Sequence, residues 1–345
     1  MSHAPTSPIR LGIVGCGAVV REAHLPAIKA VPGVQVAMLC DRQPEIAELT
    51  AQEFDLTCPI VESVTDLIGN VDAAIVAVPP RWHAPVAMEL LAGGVDVLCE
   101  KPLAVTAEVG RQMVDCAERH GRILAAALMM RFFPQNELMR RVIDEGELGD
   151  IQEVVAEDGA LLDWPMATNS YFDRANTGGG VLFDYGIHTL DRLLWLFGTP
   201  SELTYEDDAY GGFEANARLS GQLQIAGATV PARLDFSWSH HLPRSIKVVG
   251  SRATAEAFIS DPQNLSLTRH TRGGPLSMVV QSSVPWGRLG AYRAQLVDFI
   301  EAVRLRRQPH VSARSAIVGL EVIEAAYAVR QHMSQPWLQR KADHR

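Results

Sequence analysis

Three residues far apart in the chain are of types that move protons and stabilise charge on oxygen: Lys101, Asp184 and His188. Lys101 stands in Cys99-Glu100-Lys101-Pro102, directly after an apolar run over residues 95–99. That run reads as a strand, and its carboxyl end is the edge at which open α/β sheets bind ligands. Asp184 and His188 lie four apart in Gly178-Gly179-Gly180-Val181-Leu182-Phe183-Asp184-Tyr185-Gly186-Ile187-His188. If a helix has begun by Asp184, this spacing sets both side chains on one face. The three glycines would let the backbone pass close to a bound ligand. Taken singly, each residue has a plainer reading: a surface lysine after a strand, a satisfied histidine on an apolar helix.

A second kind of chemistry is written near the N-terminus. Gly12-Ile13-Val14-Gly15-Cys16-Gly17-Ala18-Val19-Val20 follows the apolar run Ile9–Val14 and opens a helical stretch, the context that a dinucleotide fingerprint requires. Gly15 suits the tight turn, and Gly17 lets the backbone approach a pyrophosphate, whose charge sits at the helix start formed by Ala18 and Val19. Val20 replaces the third glycine, which sets helix and strand slightly further apart. Asp41 ends a second predicted strand, Val34–Cys40, 26 residues after Gly15 (41 minus 15), where an acid takes the ribose hydroxyls. Asp41 repels the 2′-phosphate of NADP and Arg42 attracts it, so the expected cofactor is NAD or NADP, with a slight lean to NAD. A glycine-rich turn beside a surface Asp is the plain alternative; strand, glycines, helix and acid in that order weigh against it.

These residues need elements to hold them. Apolar runs over residues 71–78, 95–99 and 123–128 alternate with helical patterns over residues 20–30, 44–54, 85–91 and 106–120. That rhythm predicts a parallel sheet with right-handed crossovers. After residue 130 the pattern changes. A helix over residues 134–145 is followed by alternating stretches at 151–157, 215–225, 232–239 and 245–249, which suit an antiparallel sheet with one covered face. Helices are predicted over residues 186–197, 292–305 and 313–331. The expected fold class is α/β: a Rossmann domain over residues 1–130, then an α+β domain with a largely antiparallel open sheet over residues 131–345, for substrate binding and oligomerisation. Trp164 and Tyr171 fall in an irregular loop, and Trp238, His240 and His241 end a predicted strand. Aromatic rings there can stack on sugar faces or simply pack.

Composition narrows the partners. Of 345 residues, 47% are hydrophobic and 21% charged, with a net charge of −9, which argues against nucleic acid as the partner. Arg304, Arg306 and Arg307 read as a solvated helix end, where cations favour the dipole. Five cysteines, an odd number without a C-x-x-C pair, argue against a disulfide framework and for a reducing, cytoplasmic setting. The first residues lack a signal-peptide layout, and no run has the length of a membrane-spanning helix. His83, His188, His240 and His241 form no H-x-x-x-H or H-E-x-x-H pair, so no metal is expected.

In order along nearly the whole chain, several motifs resemble those of the Gfo/Idh/MocA oxidoreductases, the family of glucose–fructose oxidoreductase and inositol 2-dehydrogenase. They are the glycine turn, Ala77-Val78-Pro79-Pro80-Arg81-Trp82-His83, Glu100-Lys101-Pro102, Gly146-Glu147-Leu148-Gly149, the glycine run with Asp184 and His188, and Ala291-Tyr292-Arg293. The resemblance implies that Lys101, Asp184 and His188 are the catalytic group. An imidazole, with an ordinary pKa near ~6.5, can take and return the alcohol proton as hydride leaves. The lysine can donate to the same oxygen, and the aspartate can orient substrate hydroxyls or the histidine. Pro79, His83 and Glu100 fall in motifs assigned to the cofactor, and Arg131 aligns with a substrate-contacting arginine of the inositol dehydrogenases. Trp238 is a second candidate for the substrate. A cis Lys101-Pro102 bond is also implied.

The chain departs from the family at Val78-Pro79-Pro80, where Thr-Pro-Asn is usual, so an amide side chain is missing and Pro80 lacks a backbone donor. The expected activity is hydride transfer between a nicotinamide cofactor and a hydroxyl or keto carbon of a sugar, nucleotide sugar or cyclitol. The alternatives are a glycoside hydrolase or lyase that uses bound NAD transiently, and a non-catalytic relative, which the three intact residues disfavour. A homodimer or homotetramer, paired through the open sheet, is expected.

Overall fold

A computed structural model of the chain describes residues 7–163, 174–209, 213–284, 286–287 and 289–333. The chain forms two compact units. One holds Met1–Phe132, Pro165–Gly178 and Trp286–Leu320; the other holds Phe133–Trp164, Gly179–Pro285 and Glu321–Arg345.

The first unit opens with β1 (Ile9–Val14), followed by a π-helical turn over Val20–His24 that runs into α1 (Leu25–Lys29). Then come β2 (Val34–Cys40), α2 (Pro44–Phe54), β3 (Ile60–Val61), β4 (Ala73–Val76), α3 (His83–Ala92), β5 (Asp96–Cys99), α4 (Ala107–Arg119) and β6 (Leu124–Ala126). All six strands are parallel, in the order β3-β2-β1-β4-β5-β6. The order reverses between β1 and β4, which makes that point the switch at which doubly wound sheets bind ligands. Every residue of β4 and β5 is buried, as expected for strands covered on both faces. Thr106 caps α4 by accepting the Val109 N–H at 3.2 Å, and Gly121 ends the segment at φ +60°.

The second unit begins with α5 (Pro134–Asp144) and β7 (Ile151–Gly159). After the glycine run, a π-helical turn over Leu182–Gly186 leads directly into α6 (Ile187–Phe197). The strands β8 (Ser201–Asp207), β9 (Asn216–Ile225), β10 (Ala228–Ser237), β11 (Ser245–Gly250), β12 (Ala253–Phe258), β13 (Asn264–Thr271) and β14 (Gly274–Gln281) follow. The chain then supplies α7 (Gly290–Leu305) to the first unit, continues through α8 (Ala313–Ala328) and ends its described part with β15 (Arg330–His332) in the second.

The nine-stranded sheet has the order β14-β13-β12-β11-β7-β10-β9-β8-β15. It is mostly antiparallel; β10 pairs with β7, and β15 with β8, in parallel. Along β10 the buried residues Val230, Ala232, Leu234 and Phe236 alternate with the more exposed Thr229, Pro231, Arg233 and Asp235. The last helix stops three residues short of the expected 331. Arg330 instead sets Nε 2.7 Å from the buried carboxylate of Asp207, and this ion pair fixes residues 330–332 beside β8.

Candidate active site

In the first unit the candidate residues gather at the carboxyl ends of the strands. Gly15 adopts φ +87°, and a Cβ there would stand 2.6 Å from the Ala77 carbonyl oxygen, so only glycine makes this turn. At Gly17 a Cβ would meet nothing within 4 Å, so the backbone is open on that side. Ala18 and Val19 lie at the start of the π-helical turn, half-buried. A dinucleotide fits this turn. Asp41 Oδ2 accepts the Cys16 N–H at 2.8 Å and Oδ1 accepts the Gln43 N–H at 2.9 Å, so the acid also braces the glycine loop. Arg42 is exposed, with its guanidinium 5.8 Å from the centre of the Trp82 ring; that of Arg81 stands 4.9 Å from the same ring.

At the end of β5 the Lys101-Pro102 bond is cis. His83 is fully buried. Its Nε2 lies 2.8 Å from the Val78 carbonyl oxygen and its Nδ1 2.8 Å from that of Pro102. The imidazole thus straps the loop carrying Pro79 to the turn carrying Lys101. Burial pushes the imidazole down, against the pull of these carbonyls and of the Glu100 charge. Glu100 spends both carboxylate oxygens inside the protein: Oε1 stands 2.7 Å from His24 Nε2, and Oε2 accepts the Lys101 N–H at 3.0 Å. Burial works to raise the Glu100 carboxyl, but His24 and Lys101 outweigh it and hold it below the usual range. Arg131, also in this unit, is buried on a turn over Met129–Phe132.

The second unit brings Asp184, His188 and Trp238 into one neighbourhood. The Trp238 indole Nε1 donates to Asp184 Oδ2 at 3.2 Å. Asp184 lies within the π-helical turn and His188, buried, on the first turn of α6; π turns recur at functional sites. At Gly179 and Gly180 the glycine run is approached by the protein's own groups. A Cβ on Gly179 would meet the Tyr327 hydroxyl, and one on Gly180 the main chain of Glu214. Glu214 Oε1 accepts the N–H groups of Gly180 (3.0 Å) and Leu182 (3.3 Å) and the Tyr327 hydroxyl (2.6 Å), while its carbonyl accepts the Val181 N–H.

Next to it, the Ala215 carbonyl accepts the Trp238 N–H. One loop therefore grips both the turn that carries Asp184 and the tryptophan that holds its carboxylate. Tyr185 is pushed up by burial and by Asp184. His240 is tied to Ser237 Oγ at 2.9 Å, and His241 is exposed. Trp164 and Tyr171 lie outside the described residues.

Two partners went unseen in the sequence, His24 and Glu214. Their contacts join positions 76 and 34 residues apart, and neither falls in a local pattern that marks it.

Comparison with known proteins gives the family. Residues 9–128 match the model of the oxidoreductase family with an NAD-binding Rossmann fold, and residues 137–256 match the GFO/IDH/MocA C-terminal domain. The trans-1,2-dihydrobenzene-1,2-diol dehydrogenase of Mus musculus is 32% identical, over 72% of this chain and 74% of its own length. The rhizopine catabolism protein MocA of Rhizobium meliloti is 28% identical, over 92% of this chain and 93% of its own. Among solved structures, levoglucosan dehydrogenase in complex with NADH superposes with a TM-score of 0.82 at 18% identity, covering 94% of this chain and 98% of that one. Family matches over residues 9–128 and 137–256, a glycine turn that admits a dinucleotide and a relative 32% identical over 72% of the chain leave one assignment: this chain belongs to the Gfo/Idh/MocA family of NAD(P)-dependent oxidoreductases.

Proposed function

We propose that this oxidoreductase is a dehydrogenase or ketoreductase for a hydroxyl or keto carbon on a small polyhydroxylated ring: a sugar, nucleotide sugar or cyclitol. The observation that carries the proposal is the Asp184–Trp238 hydrogen bond on the turn leading into His188, in a chain of this family that also keeps Lys101 after β5. Relatives named for a dihydrobenzene diol and for levoglucosan support an alcohol substrate.

The nicotinamide, when bound, accepts or supplies the hydride. His188 takes the proton of the substrate hydroxyl, or returns it in the reverse direction. Lys101 donates a hydrogen bond to the same oxygen and stabilises its developing negative charge. Asp184 orients the substrate hydroxyls or His188, and Arg131 and Trp238 contribute to holding the ring. Gly15, Gly17, Ala18, Val19 and Asp41 hold the dinucleotide, with Arg42, Pro79, His83 and Glu100 in the flanking motifs. No helix of the described residues is long and apolar enough to cross a membrane; the five thiols are free, which suits the proposed cytoplasmic setting.

The test has two steps. Fluorescence titration with NADH and NADPH should show saturable binding of at least one. Turnover should then be followed against a panel of sugars and cyclitols for the wild type, Lys101→Ala and His188→Asn. Both variants should lose turnover by about 10²–10⁴-fold while cofactor binding persists. Unchanged turnover in Lys101→Ala overturns the assignment of that residue.

A further inference from the structure

Beside Lys101 lies a buried ionisable pair that takes no direct part in the proposed proton and hydride transfer. His24, at the end of the π-helical turn after the glycine loop, is 3% exposed, and Glu100 is 8% exposed. Their 2.7 Å separation is that of a charge-assisted hydrogen bond. Tyr292 of α7 sets its ring edge-on to His24, with centroids 5.5 Å apart. The titratable groups facing Glu100 are His24 from the π-helical turn, Tyr292 from α7, His83 from α3, and Lys101 and Cys99 from its own strand and turn.

A buried ion pair is costly, and apolar residues of similar shape often stabilise a fold as well or better. Mere joining of helix to strand therefore does not account for it. Here a single carboxylate binds the imidazole with one oxygen and the main chain of residue 101 with the other. The Lys101 charge is also among those that act on Glu100, and such an interaction runs both ways.

We propose that His24 and Glu100 are positioning residues for Lys101: the carboxylate fixes the lysine's own amide and stands its negative charge beside the ammonium, and the imidazole holds that carboxylate in place. This rests on the reading that Lys101 acts at the substrate oxygen. The pair makes Lys101 sensitive to two substitutions of different kinds. Glu100→Gln keeps the shape and hydrogen-bonding atoms but removes the negative charge, which leaves the ammonium less favoured. His24→Gln keeps a donor to the carboxylate and leaves the Glu100 charge where it is, so the ammonium stays as favoured as in the wild type.

The experiment is a pH profile of kcat/KM for the wild type, Glu100→Gln and His24→Gln. A second readout is the pH dependence of Lys101 labelling by an amine-reactive reagent, followed by peptide mass spectrometry. The alkaline limb and the labelling midpoint should move to lower pH in Glu100→Gln, by about one unit for the loss of a nearby unit charge, and stay near the wild-type value in His24→Gln. No downward move in Glu100→Gln, or one as large in His24→Gln, in variants with wild-type circular dichroism overturns the proposal. If Glu100→Gln does not fold, His24→Ala, which removes the group that holds the carboxylate, decides: a changed midpoint supports the pair and an unchanged one overturns it. A wild type that turns over no polyol sinks the dehydrogenase reading, and the labelling midpoints still test the pair.

Discussion

A carboxylate taken out of water persists only where its partners outweigh the hydration it gives up. At Glu100 those partners are His24 and the amide and charge of Lys101, and they hold the carboxyl below its ordinary 4.5. A carboxylate lowered in the folded state stabilises the fold above its unfolded value, and that contribution is lost as pH falls through the lower folded value. Glu100→Gln should therefore flatten the acid side of a urea-unfolding profile below about pH 4.5; an unchanged acid slope would mean the pair carries no linkage.

Trp238→Phe removes the only donor that the indole offers Asp184 and should lower kcat by about three- to tenfold with little change in melting temperature. Arg42, standing over Trp82 beside Asp41, should matter to a 2′-phosphate more than to a ribose. Arg42→Ala is expected to weaken NADPH and leave NADH near wild type in a fluorescence titration. At this scale Gly15 was legible, because its role is local: a turn of positive φ against Ala77. His24 was not, because its meaning lies in a residue 76 positions away.

Elements differ in the same way. The strands β9 and β10 were visible through alternation of buried and exposed positions, and α4 through Thr106 and Gly121. By contrast β14 is exposed along most of its length, and β15 has three residues fixed by an ion pair with Asp207; no periodic signal marks either. The start of α6 is the element on which the candidate chemistry depends most. Its glycine run reads in the sequence as a place for a ligand to approach; at Gly179 and Gly180 it is Tyr327 and Glu214 that come in.

Glu214→Ala leaves the amides of Gly180 and Leu182 without their carboxylate acceptor and should lower unfolding free energy by about 1–3 kcal/mol. Activity should fall with it, since Asp184 sits on the turn so released. Stability within error of wild type by urea denaturation would show that other acceptors replace it. Tyr327→Phe, which removes one donor and keeps the ring stacked on Phe183, should give a smaller loss.

At the scale of the whole molecule, the nine-stranded sheet offers a broad surface for pairing. The residues of β9 and β10 that point away from the buried Leu219, Leu234 and Phe236 include Arg218, Arg233 and Asp235, with Asp235 within 2.6 Å of Arg218 and 3.0 Å of Arg233. We expect a homodimer or homotetramer formed through this sheet; light scattering that gives the mass of a single chain would refute it. Both sheets and their strand types were readable in outline, since a switch from buried runs to alternation separates parallel from antiparallel strands. The sharing of the chain between the units was not, because α7 carries an ordinary amphipathic pattern that fits either.

That sharing has a consequence for how the protein is made. Leu296, Phe299, Ile300, Ala302 and Val303 of α7 belong to the same buried cluster as Leu11, Ile13 and Leu98. The N-terminal six-stranded sheet thus lacks part of its interior until residues 296–303, which follow the whole of β7–β14 in the chain, have left the ribosome. Its apolar edge must wait through the whole synthesis of the second sheet, a period in which a holding chaperone is the natural cover. A stalled nascent chain ending near residue 285 should be protease-sensitive throughout its first 130 residues, and one extended past residue 320 should be protected there.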